Sequence, residues 1–299
     1  MGRYLRNRVS APGNGESTFS WHTIFVAIAD FRLSDPIIVD NPIPVPDGPI
    51  SDGMPLRIMY LGASVTRGEA SLGERGYRLH IQDKLISWGN AVNAVGFNHL
   101  GEFADNQVEG YGAHRIRRIQ PHAVQAIPAL KPNLVLVQVG TSDCFQEDEV
   151  EKIGERMGKL TDAILRTGGK NVTVILSTLP TTPRESVEPC IIDANEQIRQ
   201  VALDRFINKG RRVALAEMHH NQGLPGRPLP KDIGDDEIHP TNEGYIMMGD
   251  IFLEKIGEVA DKGWLRWPVD NGIPWDGREG HEVEDEIKRR TEEEHPIPD

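Results

Sequence analysis

Cysteine is nearly absent: only Cys144 and Cys190 occur in 299 residues. That excludes a disulfide scaffold and a cysteine-built structural zinc site. Each follows a strand-like segment, and the sequence leaves open whether they meet, since a bridge needs a Cα separation of roughly 4.4–6.8 Å. Long apolar runs are missing too. The longest early one, Thr23 to Ala29, falls far short of the roughly 18 residues that span a bilayer. Positive charge is in deficit, with 33 Lys and Arg against 45 Asp and Glu and a net charge of −12, which argues against nucleic acid as the main partner. No secretory signal is evident, because the first apolar stretch starts late and lacks a small-residue cleavage site, so the reading from sequence is cytoplasmic. Met1-Gly2 opens no myristoylation site, since Arg6 stands where Ser or Thr is needed. What the chain does have is 38% apolar residues, enough for a full hydrophobic core and too many for a disordered chain.

The pattern divides the chain into residues 1–55, 56–263 and 264–299. The first part carries six prolines between Pro36 and Pro55, which favours an extended extension over sheet interior. Within it, Trp21 to Phe31 is apolar enough to pack on something. From Leu56, short β-branched runs at Leu56–Leu61, Val92–Phe97, Leu134–Val139, Val172–Leu176 and Val213–Met218 read as strands covered on both faces. Helical spacing separates them: Tyr77, Ile81, Leu85 and Trp88, then Val150 to Ile164, then about Pro189 to Asn208, and finally about Asn242 to Lys262. Alternation of this kind predicts a three-layer α/β/α sandwich around a five-stranded parallel sheet, flavodoxin-like. The last part holds Trp264, Trp267 and Trp275, expected to tie it to the domain, and ends in a stretch from Asp276 with ten acidic against four basic residues, read as a solvated tail or helix.

Four loops could carry chemistry, because ligands in such sheets sit at the carboxyl ends of strands. Gly62-Ala63-Ser64-Val65-Thr66-Arg67-Gly68 follows the first strand. It is neither a dinucleotide fingerprint nor a P-loop, and Thr66 breaks the G-x-S-x-G elbow. A serine there is either a helix cap or a nucleophile. Asp236-Glu237-Ile238-His239 places a carboxylate and an imidazole on one turn, the pair a nucleophilic serine needs as orienter and base. Gly140-Thr141-Ser142-Asp143 and Glu109-Gly110-Tyr111-Gly112-Ala113-His114 lie in loops able to aim donors at a developing oxyanion. His219-His220 ends the fifth strand and reads as surface histidine without metal spacing. Arg67 and Arg115 read as solvated or salt-bridged, with a polar substrate as the alternative.

Taken in order, these blocks resemble those of the SGNH (GDSL-type) hydrolases, and within them the carbohydrate esterase family 3 acetylxylan-esterase-like proteins of fungi. The resemblance spans about Leu56 to Trp264. It rests on Arg57 to Thr66, on Gly76-Tyr77-Arg78, Val95-Gly96, Asp105-Asn106, Glu109-Gly110 and Arg115-Ile116, on Pro132 to Leu136 leading into Gly140 to Cys144, and on Asp236 to Tyr245. It implies a serine esterase that needs no metal or organic cofactor. Ser64 would attack an acyl carbonyl, His239 would serve as base and then acid, and Asp236 would orient His239. The oxyanion would be held by the Ser64 N–H, a second-block N–H at Gly112 or, alternatively, Ala113, and the Ser142 side chain. The implied partner is a small-molecule or carbohydrate ester, and nothing speaks to the oligomeric state.

Three departures accompany the resemblance. Ala63 stands where the family has Asp, Ser142 where it has Asn, and the second-block glycine aligns with Ala113. They motivate an alternative, a weak or inactive member that binds an ester without turnover. A further alternative, an esterase or acyltransferase acting on a small metabolite, follows from the cytoplasmic reading.

Overall fold

The structure is a computed structural model, and it describes residues 48–297. Most of the expected N-terminal extension, including Trp21 to Phe31 and Pro36 to Pro46, lies outside the described residues.

Among the described residues, seven strands form the sheet: β1 (Leu56–Gly62), β2 (Val92–Ala94), β3 (Asn98–His99), β4 (Gln107–Gly110), β5 (Leu134–Gln138), β6 (Thr173–Ser177) and β7 (Val213–Ala216). Their order is β3-β4-β1-β5-β6-β7, with β2 also on β1. The count corrects the expected five. The long run Val92–Phe97 yields only β2, which pairs with β1 at Leu56 to Ile58, while β4 takes over the same edge at Leu61 and Gly62. Two short strands thus share one edge position, and the hairpin partner β3 is the antiparallel exception. The remaining pairs β1–β5, β5–β6 and β6–β7 are parallel, as the alternating pattern requires.

Helices cover both faces. Met59 and Leu61 of β1, with Val135, Val137, Val174 and Leu176, bury against α3 (Ile116–Leu130), α5 (Ile153–Gly168) and α6 (Glu188–Val201). Ile58 and Tyr60, with Leu134, Leu136 and Ile175, bury against α2 (Gly76–Ser87) and α7 (Asn242–Asp261). The period-2 alternation of strand side chains therefore feeds two separate cores, which is why these strands are apolar throughout. Helix α3 carries Pro121 and Pro128 inside it, two breakers that hide it from sequence reasoning. Two short helices, α1 (Ser64–Arg67) and α4 (Thr141–Phe145), open at the carboxyl ends of β1 and β5.

The segment after α7 crosses the opposite, amino end of the sheet. Arg57 donates to the carbonyls of Val269 and Ile273 and to Asn271 Oδ1, Asn133 donates to the Arg266 carbonyl, and Thr173 to that of Trp264. Buried polar hooks do this work, together with Leu265 and Ile273 in the core, whereas Trp267 is 63% and Trp275 38% exposed. Of the tryptophans expected to tie the segment down, Trp264 packs against the second core and Trp275 lies under Arg57 at 5.3 Å, while Trp267 projects outward. The acidic stretch forms α8 (Glu282–Glu294), which lies against α3.

Candidate active site

All seven residues of β1 are buried, and the strand delivers Ser64 as the first residue of α1. A Cβ on Gly62 would stand 1.9 Å from the Gln138 carbonyl oxygen, so only glycine lets β1 and β5 approach here. Thr66, whose presence breaks the elbow motif, instead clamps the loop. Its hydroxyl donates to the Gln138 carbonyl at 2.8 Å and accepts from the Tyr77 hydroxyl at 3.1 Å. Gly68 closes the turn in the left-handed region at φ 84°, its N–H directed at the Ser64 and Val65 carbonyls. Ser64 is 8% exposed, and its N–H, in the first helical turn, lacks an intrahelical acceptor.

Asp236 and His239 meet as their spacing predicts. His239 Nδ1 lies 2.7 Å from Asp236 Oδ2, while Oδ1 accepts the backbone N–H groups of Ile238 and His239, both at 2.9 Å. Burial pushes the Asp236 carboxyl up, but the bonds from the His239 ring and from those N–H groups outweigh it and hold the carboxyl below its usual range. The adjacent Asp235 is not the imidazole's partner. Glu237, at φ 62°, is held by Arg184 at 2.8 Å and by the Thr182 hydroxyl on its carbonyl at 2.5 Å. His239 Nε2 is buried and makes no hydrogen bond, so the Ser64–His239 bond is not formed in this state, as is common before substrate binds.

The oxyanion candidates divide. Ser142 sits in α4 at 9% exposure, beside Gly140, whose φ of 131° requires glycine. Ala113 has φ 57°, a left-handed conformation uncommon outside glycine, and its carbonyl accepts from Gln146. Gly112 lies beside it with its carbonyl 3.0 Å from His114 Nδ1.

Sequence reasoning missed two acidic groups. Glu69 follows the serine turn and donates its N–H to the Ser64 carbonyl at 3.2 Å. Its Oε2 lies 3.7 Å from His239 Nε2 and its Oε1 3.0 Å from Arg67 Nη1. The other is Asp143, fully buried, which accepts the Ile116 N–H at 3.0 Å and pairs with Arg156 at 3.1 Å. It fastens the third block to the start of α3, and burial pushes its carboxyl up to about 6 despite both partners. The run Gly-Thr-Ser-Asp was its available signal.

The surface reading of His219 is corrected. His219 is fully buried, not superficial: its Nε2 lies 3.0 Å from Glu188, and His220 stacks on it. His220 lines an open groove of about 650 Å³ with Thr181, Thr182, Glu185 and Ile192, joined to the His239 turn through Thr182. Arg115 is engaged by Asp148 at 2.8 Å. Cys144 and Cys190 form a disulfide with a Cα separation of 5.7 Å, tying α4 to α6.

Comparisons with known proteins bear on the fold and the family. No curated protein sequence matches the chain. A family 3 carbohydrate esterase from Clostridium thermocellum superposes with a TM-score of 0.60 at 20% identity, covering 69% of this chain and 98% of that one. A family 3 carbohydrate esterase from Talaromyces cellulolyticus gives 0.58 at 18% identity, over 69% and 99% of the two chains. The lipase/acylhydrolase from Enterococcus faecalis gives 0.53 at 16%, over 72% and 99%. These likenesses show a shared fold. The family model for GDSL-like lipase/acylhydrolases matches residues 60–246, more than half of the chain, and so the protein belongs to that family of carboxylic ester hydrolases.

Proposed function

We propose that the protein removes short acyl groups, acetyl foremost, from a carbohydrate or other polyol by a Ser-His-Asp mechanism. The observation that carries this reading is the His239 ring. Its Nδ1 is committed to Asp236 at 2.7 Å, leaving Nε2 to face Glu69, which follows the Ser64 turn, at 3.7 Å. In the proposed sequence Nε2 takes the Ser64 hydroxyl proton as Oγ attacks the ester carbonyl. The Asp236 carboxylate steadies the imidazolium that results. The tetrahedral oxyanion receives the Ser64 N–H, the N–H of Gly112 or Ala113, and Ser142. Collapse expels the alcohol, which takes the proton back from His239. Water then attacks the acyl-serine by the same route and releases the acid.

The alcohol side is supported by the open groove at Thr181, Thr182 and His220, whose volume of about 650 Å³ leaves room for a sugar unit. The Cys144–Cys190 bridge supports an oxidising compartment as the place of action. The test is hydrolysis of 4-nitrophenyl acetate by the purified protein and by Ser64→Ala. The variant is expected to lose about a thousandfold or more of the rate while keeping its melting temperature. Equal rates in both proteins would move the nucleophile elsewhere. No rate in either would favour the ester-binding alternative.

A further inference from the structure

Arg67 and Glu69 flank the serine turn, yet the proposed mechanism uses neither. They are built into the site and do not merely project from it. A Cβ on Gly112 would lie 2.6 Å from Arg67 Nη1 and 2.8 Å from Glu69 Oε1, and one on Gly110 would lie 2.9 Å from Arg67 Cγ. Two glycines of the second block therefore make room for this ion pair. Its backbone is fixed as well: the Glu69 carbonyl accepts from the Tyr245 hydroxyl at 2.8 Å, and that of Arg67 accepts from Arg78 at 2.9 Å. Both side chains are a little under a third exposed, so a bound ester can reach them. The second carboxylate oxygen of Glu69 faces His239 Nε2, the base of the proposed mechanism, at 3.7 Å.

We propose that Arg67 and Glu69 form a charge filter for the substrate, resting on the esterase reading above. Glu69 neutralises Arg67, so the pair withholds the attraction that a lone guanidinium would exert on esters carrying a negative charge, and its second oxygen is the one turned to His239. Neutral hydroxyl-bearing esters meet a donor and an acceptor held side by side. Specificity of this kind works through an attraction withheld as much as through one supplied. Removing one member of the pair leaves a lone charge of known sign, so the two deletions shift selectivity in opposite directions.

The experiment compares 4-nitrophenyl butyrate with the 4-nitrophenyl hemiester of succinate. The two have four-carbon acyl chains and differ in a terminal carboxylate. The readout is the ratio of kcat/KM for the anionic over the neutral ester, in which losses of folded enzyme cancel. Glu69→Gln is expected to raise this ratio by about tenfold or more, and Arg67→Gln to lower it, with both effects shrinking at high salt. An unchanged ratio in Glu69→Gln, or shifts of the same sign in both variants, would overturn the filter while leaving the esterase reading intact. Absence of Ser64-dependent hydrolysis of either ester would overturn both.

Discussion

Reducing the disulfide tests how the third block is held in place. Cys144 lies in α4 two residues after Ser142, Cys190 lies in α6, and 46 residues separate them. In the chain-entropy treatment, opening a loop of that length lowers stability by about 4 kcal/mol. For a domain of roughly 150–250 residues each kcal/mol moves the melting point by about 2–4 °C, so reduction should lower it by roughly 10 °C. The assay is calorimetry of the same preparation with and without a phosphine reductant, with mass spectrometry counting alkylated thiols in the unreduced protein. Activity at 25 °C should fall far less than stability, because Asp143 also holds this block through the Ile116 N–H and Arg156. Two alkylatable thiols before reduction, or melting points within about 2 °C of each other, would refute the reasoning.

Two further predictions concern the oxyanion donor and pH. Ser142→Asn, which lengthens the donor, should raise kcat with little change in KM, by up to the roughly 10²–10³ that one donor is worth. Ser142→Ala should lower it, and indifference to both would place Ser142 outside the oxyanion hole. Burial pushes the Asp105 and Glu109 carboxyls up to about 7 from unfolded values of 3.8 and 4.5. The folded state therefore binds their protons more tightly, and the stabilisation, complete below about pH 4, is lost as pH rises through 7. The melting temperature should fall between about pH 5 and pH 8, and Asp105→Asn should flatten that slope.

Much of the fold was legible because parallel strands buried on both faces are apolar runs of a recognisable length. Leu134 to Val139 and Val172 to Leu176 met their strands within a residue or two. Asn98–His99 and Gln107–Gly110 escaped because they are short, and β4 is buried through Gln107 and Glu109, which break the apolar signal. Glu109 is tolerable there since it accepts the Phe97 N–H and the Tyr111 hydroxyl, tertiary facts no periodicity contains. The site divides the same way. Asp236 and His239 could be paired from sequence, since three residues on one turn bring both groups together. Glu69 could not, because its nearness to His239 depends on how the loops after β1 and before α7 face each other across the sheet edge.

Ala63 shows how a departure from family pattern is read differently once packing is known. In the sequence it looks like an eroded catalytic motif. In the structure it is 4% exposed and belongs to the core cluster that includes Ile116, Val139 and Leu179. A carboxylate there would be buried among apolar groups unless a donor were supplied, and burial without one costs several kcal/mol. The loop is meanwhile held from its other side, by Thr66 on the Gln138 carbonyl and Tyr77 on Thr66. Fixing the turn that presents Ser64 thus falls to Thr66, two residues after the serine, and an apolar residue before it is consistent with a working nucleophile. Ser142 has no such substitute for the reach of an amide, so of the departures it is the one whose chemistry the catalytic rate should report.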